Sequence, residues 1–364
     1  MSRITCLVTN DLVHDQRMIR ICTALQEAGH AVTLVGREKP NSPPLTNRPF
    51  QQTRLKCWFH TGPLFYLEFN IRLYAYLLGQ PPEILNTIDA DTLLAGGLYQ
   101  TVKPVRWIHD AHELFTEVPE LSGKQIKKSL WLRLEKWAFS RFDAVYTVSE
   151  SVAKWYQPMS PNTIAVIRNV PVRSTANLPE ISSKTGHPIL IYQGALNEGR
   201  CIENYIRVIK SLDAVLWIVG EGDLSESLRE YARNQGVMDK VVFHGWKSPE
   251  ELKSLTRLAS VGLNVLEDDG LSYRYSLANK CFDYIHAGLP SIHSPFPEYQ
   301  HLNEQYQVFE LAEPKDESIL NAIKLLLFDR EKYHRLRDNC NIASGYLDWT
   351  TEKGKLVAIY ETTR

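Results

Sequence analysis

The spacing of apolar side chains switches repeatedly between two periods along this chain. Residues 4–9 form a short apolar run, 10–16 are polar, and 18–28 carry apolar residues at helical spacing until Gly29 stops the pattern. Residues 31–35 form the next apolar run and complete a strand-loop-helix-strand unit. That alternation predicts a parallel sheet with crossover helices. Residues 37–54, rich in Pro, Asn, Gln and Arg, read as a surface loop. An aromatic-rich helix is expected over 64–78, a strand over 83–88, and a helix over 91–99 capped by Asp89 or Asp91. A strand over 105–108 ends in His109-Asp-Ala-His-Glu113. A long helix follows over 126–139, then a strand over 144–148 and a helix that Ser149 caps.

A second alternating series begins near Ile189. Its strands are expected at 189–192, 215–219, 241–243, 261–265 and 291–293, with helices at about 202–211, 223–235, 249–258 and 279–287. Residues 171–187, with Pro171, Pro179 and several Ser and Thr and with Pro188 just after them, read as the linker. The two halves share one pattern, which predicts an α/β protein of two doubly wound parallel-sheet domains facing across a cleft. In such sheets ligands bind beyond the C-terminal strand ends, so that cleft is the expected site.

Composition narrows the function classes. A chain of 364 residues exceeds one ordinary core, and 44% hydrophobic with 23% charged residues fits a soluble globular protein. A net charge of −1 gives no basic field for nucleic acid. The six cysteines are scattered without a C-x-x-C pair, so neither a zinc site nor a disulfide framework is indicated, and they read as reduced thiols. The first residues enter a strand without a signal-peptide pattern, and no apolar run is long enough to cross a bilayer. A cytoplasmic protein is expected. Oligomeric state is not legible.

The chemistry concentrates around residues 276–290. A polar loop runs into a short helix that begins at Asn279 and Lys280 and ends near Gly288. Free backbone N–H groups and a lysine at a helix start suit a phosphate, and Asp283, one turn on, suits sugar hydroxyls. Three other strand ends lie on the same sheet edge. Gly194 permits a tight turn before Arg200, a forked cation for phosphate. Gly220 and Gly222 open a helix, although a lone G-x-G is weak and lacks the third glycine of a dinucleotide fingerprint. His244 and Gly245 allow close backbone approach to a nucleobase, with Trp246 equally readable as core. Each turn alone is an ordinary strand end. Their shared edge is the stronger signal.

In the first half, His109, Asp110, His112 and Glu113 cluster at one strand end, where histidine can move a proton or bind a reacting oxygen. Asp15 and Arg17 fall at the same sheet edge, although a helix cap and a first-turn ion pair explain them as well. The 124–137 helix interleaves five cations with Leu and Trp. Such a helix can make peripheral contact with an anionic membrane, and an ordinary solvated helix gives the same pattern. The aromatic stretch 59–78 shapes an acceptor pocket or is core. Asp89-Ala-Asp91 matches a metal-binding D-x-D in letters but sits where a helix cap belongs.

These residues resemble the family-four glycosyltransferases of the GT-B fold, retaining enzymes that use nucleotide sugars. The resemblance runs from Asp15-Gln-Arg17 and Asp110-Ala-His-Glu-Leu114 through Gly194, Gly199-Arg200, Gly220–Gly222 and His244-Gly245. Its most specific block is Asn279-Lys-Cys-Phe-Asp-Tyr284 with Ala287-Gly-Leu-Pro290. It implies an acceptor domain at 1–170, a linker at 171–187, a nucleotide-sugar domain at 188–345, and a final helix at 346–364 returning to the first domain. It places Asp283 on the ribose, Arg200 and Lys280 on the diphosphate, and His109 or His112 near the transferred sugar. Asp15, Arg17, Asp110 and Glu113 fall on the acceptor side. The implied donor is a UDP- or GDP-sugar, without a cofactor or metal, and the implied acceptor a glycan or a lipid-linked molecule. Three positions depart from the pattern. Ala195 stands where an arginine is common, Tyr275 where a second acid belongs, and the loop after the first strand lacks a glycine pair. Glu267, Asp268 and Asp269 are candidates to replace that acid. The rival readings are a nucleotide-sugar epimerase on the same architecture and a non-catalytic nucleotide-sugar-binding protein.

Overall fold

A seven-stranded parallel sheet organises the first half of the chain. Its strands are β1 (Arg3–Leu7), β2 (Ala31–Glu38), β3 (Gln51–Lys56), β4 (Ile84–Ile88), β5 (Arg106–Ala111), β6 (Ala144–Thr147) and β7 (Ala165–Val166), in the order β3-β2-β1-β4-β5-β6-β7. Connections wind outward in both directions from β1, so the switch point lies between β1 and β4. Helices α1 (Gln16–Glu27), α2 (Gly62–Gly79), α3 (Leu93–Val102), α4 (Gln125–Phe139) and α5 (Glu150–Tyr156) connect the strands. β4 is buried at every position, as a central strand covered on both faces must be.

The second sheet has six parallel strands: β8 (Ile189–Gln193), β9 (Val215–Val219), β10 (Val241–Gly245), β11 (Val261–Asn264), β12 (Ser291–His293) and β13 (Phe309–Leu311). Their order is β10-β9-β8-β11-β12-β13, with the switch point between β8 and β11. Helices α6 (Ile202–Val208), α7 (Ser225–Asn234), α8 (Pro249–Leu258), α9 (Leu271–Arg274), α10 (Asn279–His286), α11 (Pro297–Tyr306), α12 (Asp316–Phe328), α13 (Arg330–Ala343) and α14 (Trp349–Glu361) complete the chain. The computed structural model describes residues 1–13, 15–117, 124–173 and 186–362. Most of the expected 171–187 linker lies outside the described residues.

Two compact units result, Met1–Asn169 together with the chain from Glu352 onward, and Val170–Thr351. The Arg106 guanidinium donates to the carbonyls of Ile359 and Tyr360 at 2.5 and 2.6 Å, and the hydroxyls of Tyr146 and Tyr360 lie 3.2 Å apart. These contacts fix the end of α14 to the first sheet. Among the described residues no helix is long and apolar enough to cross a membrane.

Three local expectations require correction. The 37–54 loop contains most of β3, a strand of sequence Gln-Gln-Thr-Arg-Leu-Lys that pairs with residues 33–38. Its edge position leaves it half-exposed, so it carries no apolar alternation to read. β5 continues through Ala111 because His109 and Asp110 are buried strand residues. Neither Asp89 nor Asp91 caps the following helix. The Asp89 carboxylate accepts the backbone N–H groups of His112 and Glu113 at 2.9 and 3.2 Å, and that of Asp91 accepts the Thr9 hydroxyl.

Candidate active site

In the second unit, β10, β9 and β8 end side by side in three turns laced by backbone hydrogen bonds. The N–H of Gly194 donates to Val219 O and that of Gly220 to Gly245 O, both at 2.9 Å. The glycines are dictated by this packing. A Cβ at Gly220 falls 2.0 Å from Gly194 O, and one at Gly222 falls 2.5 Å from Asn197 Oδ1. Gly220 also has φ +136°, which L side chains rarely adopt. Gly220 and Gly222 therefore bring the Gly194 turn into place, whatever ligand they also border.

Across the switch point, α10 starts at Asn279 beyond Ala278, whose side chain provides no cap. Lys280 turns inward and is 7% exposed. Its Nζ lies 4.0 Å from the Tyr192 ring centroid and has no hydrogen-bond partner among the described residues. A Cβ at Gly194 falls 3.2 Å from that Nζ, so the exposed glycine turn covers the ammonium directly. Burial first, and then the charge of Arg200, push the Lys280 pKa well below its ordinary range, while Asp283 opposes them. Two cations thus share one corner. Arg200 is half-buried, its guanidinium lies 4.7 Å from the Tyr273 ring centroid, and its Nε has no partner among the described residues.

Asp283 sits one turn into α10, half-buried. The Gln193 amide donates to Asp283 Oδ2 at 3.0 Å, and the Thr256 hydroxyl donates to Gln193 Oε1 at 2.7 Å. This relay holds the carboxylate in position. Gln193 and Thr256 were missed by sequence reasoning, although Gln193 is the one polar residue in the apolar β8 run. His244 packs edge-on against Trp217, and its pKa is lowered by burial and then by Lys247. Trp246 is 61% exposed and is not a core residue.

The departures have local explanations. Tyr275 closes α9 through an N–H donated to Leu271 O. Of the candidate replacement acids, Asp268 is paired with Arg274, and Glu267 is held beside Gly199 by its backbone N–H. In the first unit, the loop without a glycine pair carries its positive φ at Leu12, whose buried side chain packs against Gly36.

The first unit has its own hollow of about 250 Å³ at the β1/β4 switch point, lined by Thr9, Asp15, Asp89, Asp91 and His112 among others. The neighbouring candidates have other tasks. His109 is 2% exposed, bonds Thr87 O at 2.9 Å and stacks on Phe142, so it is packed in the core. Arg17 also borders the hollow, but its guanidinium is committed to a two-pronged pair with the fully buried Asp110 at 2.8 and 2.9 Å and to Ile167 O. Both were expected on the acceptor side, and the structure makes them a structural pair. Asp15 caps α1 through Met18 N at 2.9 Å and accepts from Asn10. His112 remains. Its pKa is lowered to about 4, chiefly by burial and then by Arg17, so it is neutral at pH 7 and can accept a hydrogen bond. Among the described residues no group of three or more His, Cys, Asp or Glu is placed to hold a metal ion.

Two family models match the chain. The model described as Glycosyltransferase Family 4 matches residues 16–170, and Glycosyl transferases group 1 matches 174–341. Similar solved structures include the sucrose-phosphate synthase from Thermosynechococcus elongatus, at TM-score 0.81 and 18% identity over 99% of this chain and 98% of that one. WaaG, a glycosyltransferase involved in lipopolysaccharide biosynthesis, aligns at TM-score 0.77 and 14% identity over 99% and 100%. Anabaena HepE in complex with UDP-glucose aligns at TM-score 0.76 and 13% identity over 100% of both chains. No curated protein matches. The two matched segments take in every strand except β1, and the chain belongs to the family-four type of glycosyltransferase with the GT-B fold of two Rossmann-like domains.

Proposed function

We propose that this glycosyltransferase uses a UDP-sugar, with the diphosphate seated at Lys280, Arg200 and the start of α10, and the ribose hydroxyls on Asp283. The observation that carries this reading is the Lys280 ammonium, buried without a hydrogen-bond partner among the described residues and repelled by Arg200. A buried charge in that state is costly unless an anion completes the site. A diphosphate supplies the anion. HepE, of like fold, has been crystallised with UDP-glucose, which supports uridine over guanosine.

The acceptor oxygen attacks the anomeric carbon as the bond from that carbon to the β-phosphate oxygen breaks. The acceptor proton passes to the departing diphosphate, and the new bond forms on the face that the diphosphate leaves. This is transfer with retention. The two cations stabilise the charge that develops on the leaving oxygen, a task that requires no metal ion when side chains perform it. The hollow around His112 is the acceptor side, with the neutral imidazole bonding a hydroxyl.

A thermal-stability screen with UDP-, GDP-, ADP- and TDP-sugars, with and without EDTA, tests the reading. UDP-sugars should stabilise most, with no effect of EDTA. A preference for another base, or loss of stabilisation on chelation, refutes the corresponding part. No stabilisation by any of the four refutes the whole.

A further inference from the structure

The first unit holds a second hollow beside the polar one around His112. It is a groove of about 640 Å³ between α2 and α4. Its walls are Tyr66 and Leu67 of α2, Leu94 of α3, and Leu130, Trp131 and Leu134 of α4. The Tyr66 and Trp131 rings meet edge to face at 5.4 Å and tie the two helices together. Leu67 and Leu130 nevertheless remain 51% and 68% exposed. Single exposed leucines are ordinary, whereas leucines from two helices lining one groove mark a binding surface.

The polar residues of the groove specify its occupant further. Lys124 and Lys127, on the first turn of α4 and just before it, line it as exposed cations. Asp91 lines this groove and also the His112 hollow, so the two are contiguous through one buried carboxylate. Glu113, beside His112 in sequence, lines the groove as well. An apolar trough with cations along it, opening past a carboxylate into the hollow assigned to the acceptor, suits an amphiphile with an anionic headgroup.

We propose that the acceptor is an anionic lipid-linked molecule whose hydrocarbon chain lies in the α2–α4 groove. Its anionic group meets Lys124 and Lys127, and its reacting hydroxyl passes Asp91 into the His112 hollow. The proposal rests on the assignment of the first unit to the acceptor and names the acceptor class.

Binding of monomeric alkyl phosphates to the full chain, measured by calorimetry below their critical micelle concentrations, tests it. Affinity should rise from octyl to decyl phosphate by about tenfold, since each buried methylene contributes up to about fourfold. The double variant Leu67→Asp/Leu130→Asp changes only exposed positions and should weaken decyl phosphate at least tenfold. Lys127→Glu should weaken decyl phosphate while leaving decanol unchanged. Affinity independent of chain length, or wild-type affinity in the double variant, overturns the proposal. So does binding to vesicles containing one-third anionic lipid with no binding of the monomers, which assigns the groove to a bilayer surface. Stabilisation by UDP, measured on the same samples, reports the donor assignment separately. Its absence refutes the donor reading whatever the groove binds, and its presence in every variant shows that the donor site is intact.

Discussion

Replacing Lys280 with methionine should stabilise the ligand-free enzyme and impair its binding of UDP. The first effect follows from burial. An ammonium without a hydrogen-bond partner among the described residues forfeits about 1–3 kcal/mol as an unsatisfied buried group, and more while it stays charged. The Tyr192 ring, 4.0 Å away, returns at most about 2 kcal/mol through its π face. Methionine keeps the length of the side chain and needs no partner. A net gain of about 1 kcal/mol is expected, read as a higher melting temperature. The second effect follows from losing a charge-assisted contact of about 1.5–3 kcal/mol, or roughly 10–150-fold in the Kd of UDP, with uridine nearly unchanged.

The same lysine predicts a proton linkage. Its folded pKa is depressed by burial and by Arg200, so between that depressed value and about 10.4 the unfolded chain holds a proton that the folded enzyme lacks. Ligand-free stability should therefore rise with pH across that window. UDP restores the charge, so binding should take up a proton there. Calorimetry in two buffers of different ionisation enthalpy measures the uptake, which should vanish in Lys280→Met. A variant that is less stable without ligand and binds UDP as the wild type does would show that Lys280 is only a packing cation.

Four further outcomes follow. Asp283→Ala should abolish stabilisation by UDP-sugars while the circular dichroism spectrum is unchanged, and Gln193→Leu should weaken it through loss of the relay; unchanged stabilisation in both refutes the ribose role. Gly220→Ala should destabilise by roughly 3 kcal/mol or more, because the new Cβ falls 2.0 Å from Gly194 O in a backbone region closed to alanine; a normal urea midpoint contradicts the turn packing. Arg17→Ala should cost roughly 3–5 kcal/mol by stranding buried Asp110, with UDP affinity retained; intact stability with altered kinetics returns Arg17 to the acceptor site. Burial holds the His293 pKa down at about 3, so its contribution is full above about pH 6.5 and is lost as pH falls towards that lower value. About 2 kcal/mol should be gone by pH 5, and His293→Gln should flatten that part of the pH–stability curve; equal slopes in the two proteins refute it.

Much of the architecture was legible because central parallel strands are apolar runs. β4 and β8 are buried at every position and stand out in any reading. β3 was not legible, because an edge strand with polar side chains carries neither period. For the proposed donor site, Lys280 and Arg200 were singled out from helix-start and strand-end chemistry, but the inward turn of Lys280 was not visible. Adjacent histidines could not be told apart in sequence. β5 is buried on both of its faces from Trp107 to Ala111, which packs His109 against Phe142, and only three-dimensional packing shows that the strand runs that far. Asp110 and Arg17 lie 93 residues apart and read as separate polar groups until the fold joins them.

The most direct test of the donor assignment is proton NMR of UDP-glucose, UDP-galactose and UDP-N-acetylglucosamine, each incubated with the enzyme and no acceptor. The account predicts slow release of UDP from one of them, with the free sugar first appearing as the α anomer, because water then takes the place of the acceptor on the face the diphosphate leaves. Release first as the β anomer contradicts retention. Interconversion of the UDP-sugars, or tight binding with no cleavage by an enzyme that also fails to transfer to any lipid-linked acceptor, contradicts the account as a whole.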